Sequence, residues 1–304
     1  MKNIRMPGKE YVLAPVAILA ISTASIFIRF SQASLSSLAI ATYRLVFASL
    51  IMLPFSIVST YKSLRNKEMR DPYLLLLSGM LLSLHFVSWI ISLEFTSVIN
   101  SVVLVTTTPI WVALFSPLIT KEKPKSKFWF GLIIAMVGII LVSGIFRRGT
   151  NSVFPIDQRD RFIGNGLALI GAICAAFYVI IGRFVRNDVS NRVYTFSVYS
   201  VAAITLLIIT ILIPSETLMV SVADLKWLIL LAIIPQLIGH SLINLFLGTL
   251  PAHEVSIFLL GEPIGSTILA IFFLEEIPGL MDIMGGFIIL AGIGIAVLNN
   301  RQEE

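Results

Sequence analysis

Two stretches of this sequence decide how it folds: EKPKSKFWFGLIIAMVG at residues 122–138 and EIPGLMDIMGGFIILAG at residues 276–292. Laid over one another without a gap, they pair Glu122 with Glu276, Pro124 with Pro278, Gly131 with Gly285 and Gly138 with Gly292. Each pair is 154 residues apart, and the same offset joins Pro109 to Pro263 and Arg29 to Arg183. Chance matches between two Leu/Ile/Val-rich segments are common, but these pairs use rarer residue types. A fixed period of this kind marks an internal duplication.

The duplicated material is apolar. Of 304 residues, 57% are hydrophobic and 13% charged, with a mean hydropathy of +0.95. Soluble domains run at about 45–50% apolar and about 25% charged, so this chain has too little polar residue to cover a surface in water. A bilayer core about 30 Å thick takes roughly 20 apolar residues per helix. Ten segments meet that length: Tyr11–Phe30, Leu35–Ser59, Tyr73–Phe95, Val98–Thr120, Phe128–Phe146, Gly164–Val185, Val193–Ile213, Leu225–Leu250, Ala252–Leu274 and Leu280–Leu298. The longest hydrophilic stretch, Arg147–Phe162, falls between the fifth and sixth. The expected organisation is a five-helix repeat over residues 11–146, an extracytoplasmic linker at 147–162 and a second five-helix repeat over 163–299.

Five is an odd number, so the second copy enters the membrane from the other side. With the N-terminus in the cytoplasm, fifteen of the twenty-two lysines and arginines fall in cytoplasmic segments, among them Lys121, Lys123, Lys125 and Lys127. That bias places both termini inside, although Arg147, Arg148, Arg159 and Arg161 run against it. The net charge of +5 is therefore a topology signal, and no nucleic acid is expected as a partner. The first apolar run is longer than the 7–15 residues of a signal-peptide core, so it reads as a retained span. Cys174, the single cysteine, lies in an apolar segment and reads as an inert thiol.

The expected fold is all-α: an integral membrane protein of ten transmembrane helices, two inverted five-helix repeats around a central cavity. Inverted repeats are a construction principle of secondary transporters, whose solute site lies near the midplane and whose halves rock to alternate access. A duplication kept only for packing is the bland alternative.

Several segments resemble the drug/metabolite transporter superfamily, in its ten-span EamA-like branch. They are His85-Phe86-Val87-Ser88-Trp89, then Ser92 to Val98 running into Ser101, Val105 and Pro109-Ile110. In the second half they are Pro235 to Ser241 with Asn244, and Leu260-Gly261-Glu262-Pro263-Ile264-Gly265. The acidic turns at Glu122 and Glu276 are similar to that family's, though Glu122 sits in Thr-Lys-Glu-Lys-Pro rather than Leu-Gly-Glu. The resemblance covers essentially the whole chain. It implies a ten-helix basket and export of a small metabolite, such as an amino acid, across the cell membrane, and it leaves the substrate open.

Polar groups at membrane depth are the candidate machinery, because an ionised side chain at a helix centre costs about 2.5–3.5 kcal/mol on insertion scales. Glu262, just before Pro263 in the ninth span, is a candidate for proton coupling or direct solute contact. The structural alternative is a protonated carboxyl bonded to a carbonyl that Pro263 leaves free. His85, Trp89 and Ser92 form a polar stripe on the third span. Gln236, His240 and Asn244, at i, i+4 and i+8, form a second on the eighth. The offset carries His85 to Gly239, beside His240, so the two stripes are near-equivalent faces expected to line the cavity. Interhelical hydrogen bonding explains them as well. Of the polar run around Asn100 to Thr108, packing accounts for most; Ser101 and Thr107 are singled out as solute contacts. Arg29 and Arg44 are read as lying near the outer ends of spans one and two, where they gate with Glu94 or snorkel to headgroups. Pro109, Pro235 and Pro263 are expected helix kinks.

No Lys or Arg is placed near a helix centre on this reading, which disfavours phosphorylated substrates. Metalloprotease, nucleophile-elbow and Walker motifs are missing, so the chain is read as no enzyme, with no cofactor and no metal. A channel or uniporter is the runner-up, ahead of an intramembrane enzyme, and no filter segment or charge ring speaks for a channel. The expected partners are a small-molecule solute and membrane lipids, and the chain can act as a monomer.

Overall fold

A computed structural model describes residues 8–65, 72–96, 98–142, 158–213, 218–274 and 279–298. Glu276, Pro278 and most of the expected linker lie outside the described residues, as does the side chain of Asn100. Among the described residues ten helical spans follow one another: α1 (Lys9–Ser31), α2 (Ser37–Arg65), α3 (Pro72–Phe95), α4 (Val98–Val105 and Thr108–Ile119) and α5 (Ser126–Val142). Then come α6 (Gln158–Val185), α7 (Asn191–Leu212), α8 (Val222–Phe246), α9 (Ala252–Phe258 and Glu262–Leu274) and α10 (Leu280–Leu298). Eight are long and apolar enough to cross a membrane; the apolar runs of α5 and α10 are shorter. The burial pattern is that of a protein in hydrocarbon. Phe55, Leu118, Phe272 and Leu280 are exposed, while Ser22, Ser78, Ser101, Gln236 and Asn244 are buried.

The offset of 154 reappears in the backbone. Ser37 and Asn191, Val98 and Ala252, Thr108 and Glu262, and Ser126 and Leu280 are the first residues of equivalent helices or half-helices. Both α4 and α9 break just before their equivalent prolines. Pro109 lacks the N–H that would bond the Val105 carbonyl, and its ring crowds that oxygen. The hydroxyls of Thr106, Thr107 and Thr108 take over, donating to the carbonyls of Val103, Leu104 and Val105 at 3.0, 2.7 and 2.8 Å. In α9 a short 3₁₀ turn, Leu259–Gly261, precedes Glu262 and Pro263. Pro235 lies in a π-helical segment of α8, Ala232–His240.

The inversion is visible where α5 meets α10. A Cβ on Gly131 would stand 2.6 Å from the Gly292 carbonyl, and one on Gly138 2.6 Å from the Gly285 carbonyl. Residue 131 thus faces 292 while 138 faces 285, so the two helices run antiparallel. Exchanging the repeats turns the first contact into the second, the reciprocity of a two-fold interface. Only a residue without a side chain allows backbones this close. Two hydrogen bonds repeat the symmetry. Arg29 Nη1 donates to the Leu93 carbonyl at 3.0 Å and Arg183 Nη1 to the Leu247 carbonyl at 3.1 Å. Gln32 Nε2 donates to the Ile90 carbonyl, and Arg186 Nε to that of Asn244, both at 3.1 Å.

Candidate functional site

The breaks of α4 and α9 face the same small cavity, at the meeting of both repeats. Its apolar wall includes Ile21, Leu82, Val105, Ala175, Ile243 and Leu259. Its polar groups are His85 and Trp89 from α3, Thr106 and Thr108 from α4, Tyr178 from α6, His240 from α8 and Glu262 from α9. The space holds about 40 Å³ of room for water-sized spheres, enough for a few waters. A metabolite enters only if the helices part.

His85 and Tyr178 are fixed from behind. His85 Nδ1 lies 2.9 Å from the Gly171 carbonyl, which can only accept, so Nδ1 carries a proton and Nε2 is the nitrogen left over. Its ring stacks on Trp89, with centroids 6.2 Å apart and planes 7° from parallel. Tyr178 donates to Asn244 Oδ1 at 2.5 Å, and Asn244 Nδ2 donates to Thr195. Glu262 is 7% exposed, and its carboxyl makes no hydrogen bond recorded among the described residues. Its backbone carbonyl accepts from Ser22 Oγ.

A cation stands immediately behind the wall. Arg44 is fully buried; its Nε donates to Gln236 Oε1 at 2.7 Å and its guanidinium carbon lies 3.9 Å from the Phe86 ring centre. His85, His240 and Glu262, the ionisable groups of the wall, are all within its electrostatic reach. Nη1 and Nη2 of Arg44 have no hydrogen-bond partner among the described residues.

The end of the bundle that carries the N-terminus of α1 is latched across the repeats. Arg183 of α6 meets Glu122, in the turn after α4, with Nε and Nη2 both 2.7 Å from Oε1. Glu122 Oε2 accepts from the Ala252 N–H at the start of α9.

A profile described as the EamA-like transporter family matches residues 8–144 and matches again over 162–298. The chain belongs to the EamA-like transporter family. It is thus a multi-pass membrane transporter of the drug/metabolite transporter superfamily, built from two copies of the EamA-like unit. Its curated relatives are also named as transporters. The uncharacterized transporter YdfC of Bacillus subtilis (strain 168) is 22% identical over 87% of this chain and 83% of its own length. An uncharacterized transporter of Archaeoglobus fulgidus is 22% identical over 98% of this chain and all of its own. A solved crystal structure superposes with a TM-score of 0.76 at 15% identity, covering 98% of this chain and all of that one. This last likeness concerns the fold alone.

Within this EamA-like frame the sequence-derived residues divide. His85, Trp89, His240 and Glu262 reach the cavity. Ser92, Ser101, Thr107, Gln236 and Asn244, expected on the wall, sit behind it. Ser92 and Ser101 bond each other at 2.5 Å, and Thr107 caps Leu104. Gln236, inside the π-helical stretch, is taken up by Arg44, and Asn244, in the α-helical turn after it, by Tyr178 and Thr195. The expected outer gate is corrected. Arg29 donates to the Leu93 carbonyl and Glu94 is exposed, but Arg44 turns inward to Gln236. Helix α2 starts below the surface, with Ser37 buried and bonded to the Ile90 carbonyl. Arg44, seven residues further, is about 10 Å deeper along the axis. The inventory that excluded cations from the helix interiors therefore falls, and with it the case that rested on that inventory against phosphorylated substrates. Tyr178 was missed, and Thr106 and Thr108, read as packing groups, also reach the cavity. A tyrosine inside an apolar helix was the available signal, since its hydroxyl needs a partner when buried.

Proposed function

We propose that the chain is a secondary-active carrier that moves a small solute by alternating access between its two inverted repeats. The observation that carries this reading is the reciprocal, antiparallel contact of Gly131 with Gly292 and Gly138 with Gly285, together with a cavity bordered by equivalent broken helices. A two-fold scaffold has two similar arrangements, one open to each side. The broken helices supply backbone that can bend where the solute sits. The membrane is the cell membrane, both termini are cytoplasmic, and the direction is export of a metabolite such as an amino acid. A solute and lipids are the partners, and one chain suffices. The latch from Arg183 to Glu122 then closes the cytoplasmic end.

Glu262 is the coupling residue of this scheme. Its carboxyl borders the solute space without a protein hydrogen bond among the described residues, so a proton or a solute group is what it meets. Arg44 is within its electrostatic reach, and His85, His240 and Tyr178 share its cavity wall. Purified protein in liposomes tests the proposal. Saturable counterflow of a labelled solute supports it, while ohmic current or chemical conversion of the solute overturns it. Glu262→Gln is expected to fold normally and to lose acceleration by a pH gradient; an unchanged gradient response removes Glu262 from coupling.

A further inference from the structure

The core around the cavity contains four orphaned polar atoms, and all four are donors. They are Nη1 and Nη2 of Arg44, Nε2 of Gln236 and Nε1 of Trp89, each buried with no partner among the described residues. Gln236 cannot turn its amide to help, because Oε1 already accepts from Arg44 Nε. Leaving a buried charge without an acceptor is among the costliest defects a protein interior can hold. The Phe86 face beneath Arg44 supplies attraction but no acceptor for the two amino groups. Glu262, the one carboxyl on the cavity wall, makes no ion pair with Arg44 within 4 Å.

What this cluster lacks is a planar anion with two oxygens. Resting on the carrier reading above, we propose that Arg44 is the anion-binding residue of the transport site. It takes the carboxylate of a small monocarboxylate solute on its Nη1–Nη2 edge when the helices part. Guanidinium and carboxylate match in a two-bond fork. The rest of the solute then lies against Trp89, Tyr178, Leu82 and Ile243, a largely apolar surface that suits a hydrocarbon or aromatic body. A single cation facing a carboxyl at Glu262 favours one negative charge over the two or more of a phosphate ester. The small cavity points the same way.

The test uses purified full-length protein and matched acid–amide pairs: phenylacetate with phenylacetamide, 4-methylpentanoate with its amide, and L-phenylalanine with its amide. Thermal-shift titration is expected to show stabilisation by at least one acid, half-saturating about 10- to 100-fold below its amide. Arg44→Gln is expected to abolish that difference. Because Arg44→Gln can also fail to fold, Gln236→Glu is the second variant. It supplies a carboxylate in place beside the guanidinium, so it is expected to remain folded, raise the melting temperature and lose the response to acids. Amides that stabilise as well as acids, no response to any acid, or an undiminished acid response in Gln236→Glu each overturn the proposal. Failure here is distinct from failure of the carrier. A neutral or cationic solute that exchanges saturably in liposomes sinks the carboxylate and keeps the carrier. Acids that stabilise the protein but never exchange do the reverse.

Discussion

The two repeats keep the same backbone contacts, mostly with the same residues and once with Gln32 where the second copy has Arg186, and they differ in the polar groups of the cavity. Arg29 and Arg183, Pro109 and Pro263, and the glycines of α5 and α10 are the same residues doing the same work. At the site, Arg44 stands opposite Val198 in the alignment, Gln236 opposite Leu82, Glu262 opposite Thr108, His240 opposite Phe86 and Trp89 opposite Ile243. Two equal arrangements require a symmetric frame, because a ligand shifts an equilibrium only by its differential affinity for the two states. A solute with an anionic end and an apolar end cannot be read by a symmetric site. Duplication supplied the frame; divergence supplied the chemistry.

The largest effect is expected from breaking the frame. Gly131→Leu pushes a side chain into the backbone of α10, where Gly292 O and Ala296 N stand 2.6 Å from the added Cβ. Backbone cannot step aside as a flexible side chain can, so a loss of about 3 kcal/mol or more follows. Fluorescence-detected size exclusion should show no monodisperse protein. Trp89→Phe, at a position where the repeats differ, should elute normally with transport impaired. If Gly131→Leu elutes normally as well, the close dyad contact is wrong.

The next effect comes from making the second repeat resemble the first at the site. Gln236→Leu removes the acceptor of Arg44 Nε and leaves the buried cation with no hydrogen bond among the described residues. That is expected to cost about 2–3 kcal/mol, seen as a lower melting temperature in detergent. Adding Arg44→Met should restore most of it, since the charge leaves together with its partner. A double variant no better than the single would mean that Arg44 and Gln236 are not coupled.

The frame was legible in the sequence and the depth of the site was not. Period, span number and inversion follow from rare residues such as Gly131, Pro109 and Arg29, whose types are dictated by backbone geometry that the duplication preserved. Arg44 was misplaced because a hydropathy profile counts residues from the end of an apolar run, whereas depth depends on where neighbouring helices bury that end. Gln236 lies in a π-helical stretch that Pro235 marks but does not define, and it and Asn244 are held behind the wall by partners from other helices, Arg44 and Tyr178. Arg44 and Gln236 lie 192 residues apart, and without helix packing nothing joins them.

A smaller effect is expected at the latch. Glu122 and Arg183 are partly exposed, at 23% and 16%, so their pair contributes about 1 kcal/mol, roughly fivefold in the balance between closed and open ends. Val179 lines the cavity, so Glu122→Gln should raise the alkylation rate of Val179→Cys, in a Cys174→Ala background, by an impermeant reagent added on the side of the termini. The same increase from the opposite side would place the latch at the wrong end.

The smallest expected change tests the alignment at single-residue grain. Gly285 matches Gly131 and lies under Gly138, but its neighbour Gly286 matches Leu132 and has nothing within 4 Å of an added Cβ. Gly286 sits inside α10, where glycine carries a helix penalty relative to alanine and gives nothing back in packing. Gly286→Ala is therefore expected to stabilise the protein by about 0.5 kcal/mol, a slight rise in melting temperature with transport unchanged. A fall instead would mean that the tight face of α10 runs through 286, one residue along. The antiparallel match of 131 with 292 and 138 with 285 would then be out of register.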